Sequence, residues 1–265
     1  MDLGLTDKRV LVTGGSKGIG LAIAHGLAAE GADMVIAARE PEALKLAADD
    51  IAARSGRKVV GITVDTGDDA SVQQLVAQTV EQLGGIDILV NSAATPWSAG
   101  SPTDFASTTD DIVRREVEIK VLGYLRTARA VAPHLIDQGW GRIINISGLG
   151  ARQANSIAQT IRNVSVSALT KNLADELGPH GINVTVVHPG RTRTARLDTA
   201  LAAESAETGT PVAELEQALA TNSIRRIVDA SEVADVVTFL ASPRSIGITG
   251  DAIAVGGGVP GPVYY

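Results

Sequence analysis

None of the 265 residues is a cysteine. Disulfides, thiolate metal sites and a cysteine nucleophile are thereby excluded together. Basic residues do not predominate: 23 Lys and Arg stand against 30 Asp and Glu, for a formal net charge of -7. Such a field argues against nucleic acid or an anionic membrane surface as the main partner. No apolar run approaches the ~18 residues needed to span a bilayer. The opening Met1-Asp2-Leu3-Gly4-Leu5-Thr6-Asp7-Lys8-Arg9 lacks the basic-then-apolar order of a secretory leader, so a cytoplasmic location is expected. There is no sequence repeat, no low-complexity tract and no cluster of His and carboxylates with metal spacing. What remains is a chain that is 45% hydrophobic and 20% charged, which excludes disorder and allows one large core. A single domain over residues 1–265 fits, because α/β folds reach ~250 residues as one unit.

Short β-branched runs alternate with Ala/Leu/Glu-rich segments throughout. The runs are Val10–Val12, Met34–Ala37, Val59–Val64, Ile86–Val90, Arg142–Ile146, Ile182–Val187 and Ala252–Val255. Each is nearly continuous rather than alternating, as in strands buried on both faces of a parallel sheet. Between them lie helical spacings such as Val72, Leu75, Val76, Thr79, Val80 and Leu83, stopped by Gly84-Gly85. Strand–helix repetition predicts right-handed crossovers and a doubly wound α/β sheet. Residues 191–226 are the least patterned and are expected to cover the strand ends as a substrate lid.

The first strand runs into Thr13-Gly14-Gly15-Ser16-Lys17-Gly18-Ile19-Gly20 and then a helix. Glycines there allow a tight turn and bring bare N–H groups against a pyrophosphate at a helix N-terminus. This turn resembles the cofactor turn of the short-chain dehydrogenase/reductase family, with Gly14, Ser16, Lys17, Gly18, Ile19 and Gly20 as its residues. Asn91-Ser92-Ala93-Ala94 resembles the family's Asn-Asn-Ala-Gly, with two departures. Pro189-Gly190 followed by Thr194 resembles the segment that meets the nicotinamide. The resemblance covers nearly the whole chain. It implies a seven-stranded sheet of order 3-2-1-4-5-6-7 and a homo-oligomer, tetramer or dimer, packed through helices near 110–138 and 156–178 and the last strand. Asp65 matches the family residue that contacts the adenine; equally, it would cap the helix beginning near Asp69.

An enzyme preferring NAD usually carries a carboxylate at the end of strand two, against the ribose 2′-hydroxyl. Here that end reads Ala37-Ala38-Arg39. Arg39 would fork onto a 2′-phosphate, with Lys17 as a second cation, so NADP(H) is expected over NAD(H). The alternative is that Arg39 is a solvated surface charge.

The family's catalytic pattern is where the sequence departs. Members carry Tyr-x-x-x-Lys on the helix after strand five, a Ser at that strand's end and an Asn on the preceding long helix. The three tyrosines, Tyr124, Tyr264 and Tyr265, have no Lys four residues on. Alignment through Leu169–Leu177 puts Gln159 at the Tyr position and Asn163 at the Lys position. Spaced by four, they share a helix face. Neither amide is an acid or base near neutral pH. Lys120 stands where the family has Asn, so Lys and Asn are exchanged between helices. Lys120 would reach the reacting centre from the wall opposite Asn163 with a lowered pKa, or else snorkel to the surface. Ile146-Ser147-Gly148 leaves two alignments: Ser147 polarises the carbonyl, or Gly148 occupies that place and the hydroxyl is lost.

Weaker candidates follow. His188 either titrates near neutrality or is a neutral, hydrogen-bonded core residue. Arg191, Arg193 and Arg196 bind an anionic substrate or the pyrophosphate, or line a solvated lid. Trp97 flanks the pocket or covers an apolar patch. The first functional expectation is an NADP(H)-dependent oxidoreductase acting on a small carbonyl or alcohol. The others are a lyase, hydratase or isomerase on the same scaffold, and an inactive dinucleotide binder.

Overall fold

The computed structural model describes residues 1–95, 104–154 and 156–261. Its first half alternates β1 (Arg9–Thr13), α1 (Gly18–Ala29), β2 (Asp33–Ala38), α2 (Pro41–Ser55), β3 (Val59–Thr63), α3 (Asp69–Leu83) and β4 (Ile88–Asn91). A long helical segment follows: α4 (Asp110–Glu116), a π-helical turn at Val117–Leu122, then α5 (Gly123–Gln138). The second half is β5 (Gly141–Ile146), α6 (Ile157–Leu177), β6 (Ile182–Pro189), β7 (Thr192–Arg193), α7 (Ala195–Thr208), α8 (Val212–Leu219), β8 (Val228–Asp229), α9 (Ala230–Ala241) and β9 (Ala252–Val255).

Seven strands pair in parallel in the order β3-β2-β1-β4-β5-β6-β9. This is the expected order, with β9 in the seventh place because β7 and β8 form a separate two-stranded sheet. The continuous apolar runs have a direct cause. Val10 and Val12 of β1 pack into one core with Met34, Ile36, Ile88, Val90 and α1 and α9, while Leu11 joins Val35, Leu89, Ile143 and α3 and α5 on the other face. Both faces are covered, so most strand positions are apolar, and a polar side chain there is costly unless it is bonded.

One bonded group of polar side chains lies toward the carboxyl ends of the central strands. Thr127 donates its hydroxyl to Asn91 Oδ1 at 2.7 Å, Asn91 Nδ2 donates to Asn145 Oδ1 at 3.0 Å, and Asn145 Nδ2 donates to Thr170 Oγ1 at 2.9 Å. This buried chain of amides and hydroxyls fixes β4 and β5 to α5 and α6, immediately below the crevice where a doubly wound sheet binds ligands. Asn91 is therefore turned into the sheet, fully buried, with both ends of its amide engaged.

Candidate active site

The turn after β1 is built by close backbone approach. Gly14 and Gly18 have φ of 70° and 57°. A Cβ on Gly20 would stand 2.2 Å from the Gly14 carbonyl oxygen, and one on Gly14 would stand 2.8 Å from Ala93 N. The loop after β4 is tied to this turn, because Ser92 N–H and Ala93 N–H donate to Thr13 Oγ1 at 3.3 and 3.4 Å. No side chain caps α1, whose N-cap is Lys17. Its first N–H groups are left for an anion drawn by the helix dipole. These observations fit a dinucleotide pyrophosphate: the space a side chain would fill is kept clear at a bare helix start. Thr194, which caps α7 through Leu197 N–H, brings its methyl to 3.5 Å from the Cβ position of Gly18. The start of α7 thus lies beside the turn.

Arg39 and Lys17 are both exposed and engage no side chain or carbonyl among the described residues. Asp65 does not cap α3. Its Oδ1 accepts from Gly67 N–H at 2.9 Å, and Asp68 is the cap, accepting from Ala70 N–H at 3.0 Å. Asp65 stays exposed beyond β3.

At the other end of the crevice Lys120 and Asn163 meet. Within Val117–Leu122 the helix takes the wider π winding, and one extra residue turns the following side chains by about 100°. Lys120 is carried inward and is only 4% exposed. Its ammonium donates to the Ser147 carbonyl at 2.9 Å and to Asn163 Oδ1 at 3.2 Å. It neither snorkels outward nor stands on a wall opposite Asn163; it lies beneath Asn163, in contact with it. While protonated, Lys120 is a donor only, so the Asn163 amide presents its oxygen to it and its Nδ2 away. Desolvation, with the Arg162 charge as second cause, lowers the Lys120 pKa to about 7, against a smaller opposing pull from Glu116.

Ser147 Oγ donates to the Asn163 backbone carbonyl at 3.1 Å, which ties β5 to α6. A Cβ on Gly148 would lie 3.3 Å from Asn163 Nδ2. Gln159 is half-buried, with no hydrogen bond to its amide among the described residues. Tyr124 is buried in α5, donating to the Ile146 carbonyl at 2.9 Å, and burial pushes its pKa upward. Trp97, Tyr264 and Tyr265 lie outside the described residues. His188 is buried, with Nε2 3.4 Å from Ser167 Oγ. Burial, aided by Arg152 and Lys120, lowers its pKa to about 4, so it is neutral at pH 7.

A cavity of about 590 Å³ opens over these residues, lined by Ser147, Gly148, Gln159, Asn163, Pro189 and Gly190 among others. Lys120 is not part of its lining. The loop at 222–224 closes it against the last glycines: Ser223 N–H donates to the Gly258 carbonyl, Ile224 N–H to that of Gly257, and Asn222 Nδ2 to that of Gly256. Of the three arginines considered from sequence, Arg191 lines the cavity, Arg196 does not, and Arg193 is held by Asp198, Glu216 and Asp229. The sequence reading missed the buried ion pair between Arg162 and Glu116. The available signal was Arg162 three residues after Gln159, on the same face of α6. Among the described residues no group of three or more His, Asp or Glu could hold a metal, and no helix is long and apolar enough to cross a membrane.

Residues 14–260 match the family described as Enoyl-(Acyl carrier protein) reductase. A relative from Streptomyces niveus, "Short-chain reductase protein NovJ", is 33% identical over 253 residues, 94% of this chain and 93% of that protein. The chain belongs to the short-chain dehydrogenase/reductase family. Two solved family members agree with the fold. L-sorbose reductase from Gluconobacter frateurii, complexed with NADPH and L-sorbose, is 30% identical with a TM-score of 0.93, covering 99% of this chain and 100% of that one. A short chain dehydrogenase from Burkholderia cenocepacia in complex with NADP is 32% identical with a TM-score of 0.81, over 96% and 98%.

Proposed function

We propose that this short-chain dehydrogenase/reductase is an NADP(H)-dependent oxidoreductase that interconverts a small carbonyl compound and its alcohol with a rearranged catalytic set. The glycine turn at 14–20 would hold the pyrophosphate, Arg39 and Lys17 the 2′-phosphate, and Asp65 the adenine. Pro189, Gly190 and Thr194 would border the nicotinamide, while Asn91 acts only by bracing the sheet below it. When bound, that ring supplies or accepts the hydride. Residues 191–226 form the lid of the same single domain. The relatives solved with NADPH and NADP support the cofactor reading.

The observation that carries the rearranged set is the contact between Lys120 and Asn163 at 3.2 Å. Of the donors on residues lining the cavity, Asn163 Nδ2 and the Gln159 amide are suited to a ribose hydroxyl and a substrate oxygen. Lys120 is a positioning residue: it fixes the Asn163 amide, and its charge favours negative charge developing on the substrate oxygen. Ser147 holds α6 against β5, and Gly148 best fits the family's Ser position, left without a hydroxyl. The proton on the substrate oxygen then comes from solvent. Removing a general acid costs about 10²–10⁴-fold, so turnover is slow rather than absent. A specific observation favours a second reading, an inactive dinucleotide binder: the titratable side chains lining the cavity are arginines, which do not release protons.

Arg39→Asp is expected to reverse cofactor preference, weakening NADPH by about 10- to 100-fold and strengthening NADH. Calorimetry with each dinucleotide checks this, and equal affinity of the unaltered protein for both would contradict it. The homo-oligomer reading is supported by the exposed Ile157, Ile161 and Val164, which share a face of α6. Light scattering reads its stoichiometry directly.

A further inference from the structure

The charge of the cavity lining runs against that of the chain. Although the protein carries a net charge of -7, its cavity is lined by Arg162, Arg191 and Arg226 and by no Asp, Glu or Lys. The residues outside the described set, 96–103, 155 and 262–265, add no acidic side chain. Two of the arginines are neutralised from behind: Arg162 by buried Glu116, and Arg226 by both carboxylate oxygens of Glu232. Arg191 differs. It is exposed on the cavity rim and has no side-chain hydrogen bond or ion pair among the described residues. A ligand in this cavity therefore meets one uncompensated cation with a planar fork, beside neutral amides.

We infer that the substrate is a monocarboxylate, a keto acid or hydroxy acid, whose carboxylate is bound by Arg191. This rests on the oxidoreductase reading for the reacting group alone; the anion site is argued from the lining itself. A guanidinium fork matches a carboxylate in two parallel hydrogen bonds and discriminates against an ester of similar shape. The carboxylate is a handle, unchanged while the carbonyl and alcohol interconvert near Gln159 and Asn163. Leu149, Leu219, Ile227 and Val259 add apolar lining that suits the hydrocarbon part of such an acid.

The test uses the full chain with NADPH and three acids, pyruvate, levulinate and phenylglyoxylate, each paired with its methyl ester. At least one acid is expected to exceed its ester in kcat/KM by about 10- to 100-fold, the range for a charge-assisted hydrogen bond. Arg191→Gln should bring that ratio close to one, Arg191→Lys should leave it intermediate, and Arg196→Gln should retain it. A second readout, calorimetry of each acid on the protein with NADP⁺, does not need turnover. Acid binding that weakens about tenfold or more in Arg191→Gln, with no cofactor turnover, would uphold the anion site and remove the oxidoreductase reading. Reduction of esters and acids alike, or acid binding indifferent to Arg191, would overturn the anion site. No binding and no turnover of any acid would overturn it as well.

Discussion

Asn163→Lys alone is expected to destabilise the fold by more than about 3 kcal/mol, the cost scale of a buried charge without a partner. The new ammonium would enter a site 3% exposed, facing the Lys120 ammonium that now bonds Asn163 Oδ1 at 3.2 Å, with Arg162 adjacent in sequence. Lys120→Asn alone removes the charge and leaves two amides competing for the Ser147 carbonyl. The double exchange, Lys120→Asn with Asn163→Lys, restores one ammonium and one amide to the same contact. It should recover most of the lost stability, giving a large favourable coupling in a double-mutant cycle. Urea unfolding of the four proteins measures this; additive losses would show that the two residues do not act as a pair. The same lysine sets a pH dependence. Its pKa is about 7 when folded against an ordinary 10.5, so the unfolded chain holds the extra proton between those values. Stability therefore rises with pH across that window, and the penalty is fully present below it. Lys120→Met should lack this rise.

Gly20→Ala is expected to weaken NADPH binding by about 100-fold or more, because backbone rather than a flexible side chain must move. The added carbon would sit 2.2 Å from the Gly14 carbonyl oxygen and 3.2 Å from Ser92 Oγ. Relieving that clash displaces the turn from the start of α1, whose N–H groups are the proposed pyrophosphate donors. Calorimetry gives the affinity, and the far-ultraviolet circular dichroism of the variant shows whether the sheet survives. A variant that is folded and binds NADPH normally would exclude this turn as the cofactor site.

The parallel strands were legible because strands buried on both faces must be apolar throughout, and Val10, Leu11 and Val12 serve opposite cores in turn; their order followed from the family resemblance. The glycine turn was legible for a related reason, since close backbone approach tolerates no other residue at Gly14 and Gly20. Lys120 was singled out from the sequence only by its place in the family resemblance. Where its ammonium would go depended on the π turn at Val117–Leu122, and helical periodicity assumes regular winding. The Arg162–Glu116 pair and the closure of 222–224 on Gly256–Gly258 join residues far apart in sequence; the spacing from Gln159 placed Arg162 on the inward face of α6, but no local pattern named its partner. Asp65 shows the limit at a turn. Its spacing resembled a cap, yet Asp68 stands closer to the helix start and accepts the bond from Ala70 N–H.

The most direct test of the proposed chemistry is NADPH consumption by the unaltered protein across a panel of small carbonyl compounds, followed from pH 5.5 to 9 and repeated with Lys120→Met. The account predicts slow oxidation of NADPH that tracks alcohol formation and declines as the pH passes about 7, where Lys120 loses its proton. Lys120→Met should lower kcat by about tenfold or more, flatten that decline, and leave the NADPH dissociation constant nearly unchanged. Tight NADPH binding with no oxidation by any carbonyl at any pH would contradict the account and favour the inactive binder.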